Sequence, residues 1–212
     1  MIDWENIHCD IREGCQNRFN NKLYADAVSY AIVELNDSVK KYIISLYEIE
    51  LDGADLFRRV FSTKNPILKF RKNWDDTARN IQEGYLQIFA GTWIGIRNPK
   101  AHQNLDIDPV EAIEMVIMSS HLFRMFEKAK NNNFLQLNHL DENIIKSLSN
   151  EDFLYIGDIR RWIIINNTIH HIHDGPTYGK IMRLNSKLAN PLKVTPHEIA
   201  AVIPGPQIIC KL

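Results

Sequence analysis

The segment Arg97-Asn98-Pro99-Lys100-Ala101-His102 combines side chains that can cleave RNA without a metal ion. The ribose 2′-OH of RNA is a built-in nucleophile toward the adjacent phosphate. An imidazole can take the 2′-OH proton or protonate the departing 5′ oxygen, and a guanidinium can grip the phosphate and neutralise developing charge. Arg97 and His102 are therefore the catalytic candidates. Asn98 would orient the phosphate or the histidine, and Lys100 would add a phosphate contact.

The same residues also have a structural interpretation. An R-x4-H spacing alone occurs by chance, an arginine at a helix C-terminus interacts with the dipole and the free carbonyls, and a histidine after a proline can simply cap or pack. The position of the segment favours chemistry, because Pro99 ends the preceding helix. Asp108-Pro109 then offers an N-cap and a first helical residue soon afterwards.

Apolar spacing predicts five helices before residue 130, and these must position the segment. Their predicted ranges are Trp4–Gly14, Lys22–Glu48, Ala54–Phe61, Thr77–Arg97 and Asp108–Lys130. The fourth helix carries an apolar stripe of Ile81, Tyr85, Ile88, Phe89, Thr92 and Ile96. The residues between the third and fourth helices, Ser62–Asn73, are predicted to form a loop or a broken helix.

One histidine cannot easily make both proton transfers, so we expect a homodimer that brings two copies of His102 to one cleft. Arg97 lies off the apolar stripe of its helix, on a side shared by Glu83, Ala90 and Ile94, with glycines 84, 91 and 95 nearby. A face of small residues can accept a close partner helix. We expect the dimer contact there.

A domain boundary is predicted at Asn131-Asn132-Asn133. The following part is predicted to be mostly helical, with helices near Asp141–Leu148, Asp158–His171, Tyr178–Leu188 and Pro196–Val202. Two of its stretches combine cations with aromatic residues, Arg160-Arg161-Trp162 and Lys180–Lys187 next to Tyr178. Such a combination can bind nucleic acid, although the length and near-neutral charge of this part favour a structural interpretation.

Bulk composition excludes several classes of protein. The 212 residues are 45% hydrophobic and 24% charged with a net charge of -1, so no global basic field indicates nucleic acid. Three cysteines do not form a disulfide framework. The stretch MIDWENIHCDIREG lacks the apolar core of a signal peptide, and no apolar run is long enough to span a membrane. We expect a cytoplasmic protein.

Histidine clusters give little support to a metal site. His170-His171-Ile172-His173-Asp174 is crowded and lacks a second ligand group at diagnostic spacing, and His8 with Cys9 and Cys15 lacks the paired spacing of a zinc site. His121 falls among apolar residues, which predicts a core histidine. We expect neither a metal nor another cofactor.

Four segments in order resemble the HEPN ribonucleases, and within them the Ymh-type, abortive-infection-like proteins. They are IHCDI (7–11), LYADAVSYAIVELNDSV (23–39), DGADLFRRVFS (52–62) and IQEGYLQIFAGTWIGIRNPKAH (81–102). The resemblance implies an all-α bundle over residues 1–130, a homodimer with a composite cleft, and metal-independent RNase activity at Arg97, Asn98 and His102. Glu83 matches a recurrent acidic position, but it lies about 21 Å from Arg97 along the helix axis. It could contribute to substrate binding only across a dimer.

The resulting prediction is an all-α protein, a HEPN-like bundle of residues 1–130 followed by a small, mostly helical domain of residues 131–212. We expect the protein to be an endoribonuclease that cleaves RNA as a toxin or phage-defence effector. An antitoxin or another defence protein is expected as a further partner. One alternative is a non-catalytic module that binds RNA, a nucleotide or a partner protein. Another is a regulator that binds DNA or a partner through the C-terminal domain.

Overall fold

The computed structural model describes residues 3–47, 49–97, 107–137, 140–156, 160–188, 190–202 and 204–210. Its N-terminal part is helical, as predicted. After a 3₁₀ turn at Trp4–Asn6, the helices are α1 (Cys9–Asn20), α2 (Tyr24–Tyr47), α3 (Gly53–Val60), α4 (Asp76–Thr92) and α5 (Pro109–Asn132). A π-helical turn, Trp93–Arg97, continues α4.

The predicted helices match this part of the chain closely, except that α1 begins and ends later than predicted. Periodic apolar residues and good caps explain the agreement. Asp108, the predicted N-cap of α5, accepts hydrogen bonds from the backbone N–H groups of Val110 and Glu111 at 2.8 and 3.0 Å. The residues between α3 and α4 form bends and turns without a helix, as expected.

Helix α2 is the centre of the bundle. Its buried face includes Val28, Ile32, Leu35, Val39 and Ile43, which pack in one core with buried side chains of α1, α3, α4 and α5. These positions follow the steps of three and four that place side chains on one helical face. The bundle thus closes around the apolar face of α2.

The C-terminal part corrects the prediction of a mostly helical domain. Its elements are β1 (Phe134–Gln136), α6 (Glu142–Ser147), β2 (Phe153–Ile156), β3 (Arg160–Ile165), β4 (Thr168–His171), α7 (Gly175–Leu184), β5 (Leu192–Lys193), α8 (Pro196–Ala201) and β6 (Gln207–Ile209). A four-stranded sheet has the order β4-β3-β2-β5, with β2, β3 and β4 antiparallel and β5 parallel to β2. Strands β1 and β6 form a separate parallel pair.

The predicted helix Asp158–His171 is wrong, because its described residues form the hairpin of β3 and β4. Alternate residues of β3 enter two different cores: Trp162 packs with the bundle, whereas Ile163 packs with the C-terminal helices. A strand that is buried on both faces has a continuous apolar run rather than an alternating one. The other three predicted C-terminal helices are confirmed as α6, α7 and α8, with α7 starting three residues early.

Candidate functional site

The helix that carries Arg97 changes its winding just before the candidate segment. Residues Trp93–Arg97 form a π-helical turn at the end of α4. The hydroxyl of Thr92 donates to the carbonyls of Ile88 and Phe89, at 2.6 and 3.1 Å, where the regular helix ends. Single π turns are rare and occur frequently at functional sites.

Trp93 holds the Arg97 side chain. The guanidinium carbon of Arg97 lies 4.7 Å from the centre of the Trp93 ring, a distance typical of a cation–π contact. Residues four apart on a helix face each other, and the looser π turn keeps these two in contact. The sequence prediction omitted Trp93, although an aromatic residue four positions before an arginine is a recognisable signal.

The indole of Trp93 is itself fixed against the start of α3. Gly53 has a φ of +58°, and a Cβ at this position would collide with the Trp93 ring. The Gly53 N–H donates to Oδ1 of the buried Asn36 at 2.9 Å, and Asn36 Nδ2 donates to Asp52 Oδ1 at 2.7 Å. A glycine is therefore required here, both for its backbone conformation and for the close approach of the indole.

Asp52 places a negative charge beside Asn36. The hydrogen bond from Asn36 holds the pKa of Asp52 below its usual range, and the Lys40 ammonium, 3.6 Å away, contributes further. The carboxyl group is therefore ionised at neutral pH. Together these contacts connect Arg97, through Trp93, to the buried surface between α2 and α3.

Two of the predicted site residues, Arg97 and Glu83, belong to the described part of the chain, and they lie apart. Arg97 is half-buried at the end of the π turn. Glu83 is exposed on α4 and accepts a hydrogen bond from Gln87 at 2.7 Å, so the structure does not bring it to Arg97 within one chain. Asn98, Lys100 and His102 lie outside the described residues.

One surface of α4 and α5 is apolar and exposed. The exposed fractions are 45% for Ile88, 45% for Ile94, 65% for Val110 and 52% for Ile117. Tyr85 Oη and His121 Nε2 are 2.8 Å apart, so the two helices lie side by side at this level. A Cβ placed on glycines 84, 91 or 95 would meet no atom within 4 Å. We call this surface the α4–α5 face.

Three predictions about these helices are corrected. Ile88 was placed on the buried stripe of α4 but is exposed, whereas Ala90 was placed beside Arg97 and the glycines but is buried. His121 was predicted in the core and is exposed, hydrogen-bonded to Tyr85. Helix α4 presents Ala78, Gln82 and Phe89 to the core, because small residues and a well-bonded amide allow close packing there.

Metal-ligand geometry is found at one place among the described residues. His8, Cys9 and Asp10 each offer a ligand atom, and these atoms lie within 4.8 Å of one another. His8 Nδ1, however, accepts the backbone N–H of Asp10 at 3.3 Å and caps α1. This contact gives the histidine a structural role at the helix terminus.

Comparisons with known proteins give one match. A family model described as "Protein of unknown function (Hypoth_ymh)" matches residues 5–126. No curated protein and no solved structure matches the chain. In the described part of the chain, no helix has the length and apolar character that crossing a membrane would require.

Proposed function

The chain belongs to the Hypoth_ymh family, and we propose that it is a metal-independent endoribonuclease of the HEPN type, acting as a toxin or phage-defence effector. The observation that carries the proposal is the position of Arg97. Its guanidinium is stacked 4.7 Å from the Trp93 ring, on a π turn that directly precedes Asn98 and His102 in the sequence. A fixed cation followed five residues later in the sequence by a histidine suits phosphodiester cleavage.

In the proposed reaction, the ribose 2′ oxygen attacks the phosphorus in line with the 5′ oxygen. One imidazole of His102 accepts the 2′-OH proton, the bond from phosphorus to the 5′ oxygen breaks, and a second imidazole protonates the leaving oxygen. The products are a 2′,3′-cyclic phosphate and a 5′-hydroxyl. Since the nucleophile belongs to the substrate, the reaction needs no metal-bound water.

Arg97 would bind the non-bridging phosphate oxygens through its planar fork and neutralise the charge that builds up on them. Stacking on Trp93 limits the rotation of the side chain, so little conformational entropy is lost when the phosphate binds. Asn98 would orient the phosphate or His102, and Lys100 would add an ionic contact to the backbone of the RNA.

The α4–α5 face supports the homodimer that the reaction requires. Its four exposed large aliphatic side chains and its glycines form an apolar surface of the kind that mediates protein contacts. A twofold axis through this face would bring the ends of two α4 helices, and hence two copies of Arg97, toward one cleft. Glu83, exposed on α4, would then lie near the partner subunit.

RNA cleavage in EDTA tests the proposal. Purified wild-type protein is incubated with total cellular RNA, beside His102→Ala and Arg97→Gln, and the fragment ends are identified. We expect wild type to leave 2′,3′-cyclic phosphate and 5′-hydroxyl ends. Each variant should lose at least a hundredfold in rate, since each removes an interaction made in the transition state.

Arg79→Gln is the matched control, because Arg79 lies on the same helix and its guanidinium is exposed, paired with Asp76 at 2.9 Å. It should cleave RNA at the wild-type rate. Equal cleavage by His102→Ala and wild type would remove His102 from the mechanism. RNA binding by wild type without cleavage would favour the non-catalytic module.

A further inference from the structure

A cavity lies where the loop between α3 and α4, residues 61–75, meets the start of α4 and the C-terminal end of α5. Its volume is about 500 Å³, and the side chains around it include Arg71, Lys72, Asn73, Thr77, Lys128 and Asn132. Three of these are cations, and they come from two separate elements. The reaction proposed for Arg97 uses none of them.

The sequence concentrates positive charge on the α3–α4 loop. Between Asp55 and Asp75 the chain holds six lysine and arginine residues and no acidic residue, although the protein as a whole has a net charge of -1. Four of the six belong to the loop itself: Lys64, Lys69, Arg71 and Lys72. A local run of like charge attracts a polyanion even when the net charge of the protein is close to zero.

The loop is fixed at the residue that precedes the two arginine and lysine side chains of the cavity. Asn132 Nδ2 donates to the carbonyl of Phe70 at 2.7 Å, and Gln82 Oε1 accepts the Phe70 N–H at 3.1 Å. The Phe70 ring is fully buried. Because Phe70 is held through its backbone and its ring, Arg71 and Lys72 start from a fixed backbone, which lowers the entropy lost when a ligand binds them.

The cations of the cavity are available to a ligand. Arg71, Lys72 and Lys128 are exposed, and none of the three has an ion-pair partner in the described part of the chain. Asp75 also borders the cavity, but its Oδ1 accepts the backbone N–H of Ala78 at 2.7 Å as the N-cap of α4. Guanidinium and ammonium groups in such a position suit the oxygens of phosphate groups.

An aromatic ring lies beside these cations. Lys69 Nζ is 5.4 Å from the centre of the Trp74 ring, and Trp74 is partly exposed. Cations next to an accessible ring are typical of surfaces that bind single strands, with phosphates on the cations and a base on the ring. A lipid surface would also need exposed large apolar side chains, and those of the described residues lie in other parts of the chain: Leu23, Ile88, Ile94, Val110, Ile117 and Leu192.

We propose that the α3–α4 loop and Lys128 bind the backbone of a single-stranded RNA, with Arg71, Lys72 and Lys128 on phosphates and Trp74 against a base. The choice of RNA as the ligand rests on the function proposed above. Helix α4 and its π turn extend from Asp76 to Arg97, roughly 30 Å along the axis. The loop therefore holds a part of the RNA that is remote from Arg97 of the same subunit.

Fluorescence anisotropy with a labelled single-stranded RNA of about twenty nucleotides, added to the His102→Ala chain, measures binding without cleavage. Replacing Arg71 and Lys72 together by glutamine should weaken binding at least tenfold, because two ionic contacts to phosphate are lost. The slope of log K against log salt concentration should also decrease by about 0.7 for each lost contact. Both side chains are exposed, so the variant should melt as its parent does.

The matched control replaces Arg183 and Lys193 together by glutamine. It removes the same two charges from exposed positions on α7 and β5 and should bind RNA as the parent does. Equal losses in the two double variants would show that net charge alone sets the affinity. That result, unchanged binding in the Arg71 and Lys72 variant, or no binding of RNA by the parent would overturn the proposal.

Trp74→Leu tests whether the bound strand is single. The substitution should weaken binding of the single strand at least fivefold, because a stacked base is lost. It should leave a duplex of the same sequence unaffected, since the bases of a duplex already stack on one another. Trp74→Phe should keep most of the affinity. An equal loss for both RNAs, or no loss for either, would exclude a base at Trp74.

The result is separable from that of the cleavage assay. Cleavage by wild type, together with unchanged binding in the Arg71 and Lys72 variant, would refute the RNA surface and leave the nuclease intact. Binding that depends on Arg71 and Lys72, in a chain that does not cleave RNA, would support the surface and favour the non-catalytic module.

Discussion

A single buried amide, Gln82, fixes the irregular segment between α3 and α4. Its Nε2 donates to the carbonyls of Phe61 and Leu68 at 3.1 and 2.8 Å, and its Oε1 accepts the N–H of Phe70 at 3.1 Å. Buried backbone N–H and C=O groups outside a helix need hydrogen-bond partners. Gln82 supplies three of them, which is why a polar side chain occupies a core position of α4.

Replacing Gln82 by alanine should lower the free energy of unfolding by about 3 kcal/mol, because three buried backbone groups lose their partners. Urea denaturation monitored by circular dichroism measures the change. Gln87→Ala is the control on the same helix. Gln87 is exposed, and among the described residues its side chain bonds to Glu83 alone, so its loss should cost less than about 0.5 kcal/mol. Equal losses in the two variants would contradict the role assigned to Gln82.

His171 couples the stability of the protein to pH. Burial lowers its pKa in the folded state to about 4, from the ordinary value of 6.5. A group whose folded pKa is depressed contributes fully above its unfolded pKa, and the contribution is lost as the pH falls toward the folded value. The relevant window is therefore pH 6.5 to 4.

Between pH 7 and pH 5, His171 should account for a loss of about 2 kcal/mol of stability. His171→Gln cannot be protonated, so the difference in unfolding free energy between the two pH values should shrink by that amount. Chemical denaturation at both pH values measures it. His197→Gln is the control, since His197 is exposed. An unchanged pH dependence in His171→Gln would exclude this histidine as the sensitive group.

At the scale of elements, the helices of the bundle could be predicted from the sequence and the β3–β4 hairpin was missed. Its turn residues, Asn166 and Asn167, have φ values of 51° and 58°. Two asparagines between β-branched runs are a recognisable hairpin signal, since asparagine tolerates positive φ in a two-residue turn. The apolar run Trp162–Ile165 concealed the strand, because a strand buried on both faces has no alternation.

The hairpin turn predicts opposite effects of two substitutions. Asn167→Gly should keep or raise the free energy of unfolding, by up to about 1 kcal/mol, because glycine adopts positive φ without strain. Asn167→Val should lower it by about 2 kcal/mol, because a β-branched residue is strained there. Thermal and urea unfolding compare the two. Equal stability of the two variants would contradict a turn with positive φ at both positions.

The candidate site could be predicted only in part. The residue types of Arg97 and His102 indicate the chemistry, and the proline after Asn98 indicates a helix end. Trp93, Gly53 and Asn36 form the support of Arg97 through contacts between different helices. The spacing of residues within one segment does not predict contacts between different helices. For the same reason, the sequence does not reveal that β3 and β4 lie beside the C-terminal end of α2.

At the scale of the whole molecule, the exposure of large aliphatic side chains on the α4–α5 face is not explained by the fold of an isolated subunit. Val116 and Leu122 are buried on α5, yet Ile88, Ile94, Val110 and Ile117 are exposed. Glycines without neighbours at their Cβ positions lie on α4 between them. An opposing helix could approach closely here, because no side chain keeps it away.

Ile117→Lys should convert a dimer into a monomer, because a buried, unpaired charge at the interface is unfavourable. Light scattering coupled to size-exclusion chromatography measures the mass. Leu23→Lys is the control, since Leu23 is exposed to a similar degree, 50%, outside the α4–α5 face. It should leave the mass unchanged. A monomeric wild type, or a dimeric Ile117→Lys, would exclude this face as the interface.

The parallel pairing of β1 with β6 has a consequence for the order of synthesis. Phe134 pairs with Gln207, so the strand that directly follows the bundle must wait until more than seventy further residues have left the ribosome. Closing so long a loop is slow compared with forming helices from local contacts. The bundle can therefore assemble on the nascent chain before the sheet is complete. A growing polypeptide would present the surroundings of Arg97 before the C-terminal strands have all paired.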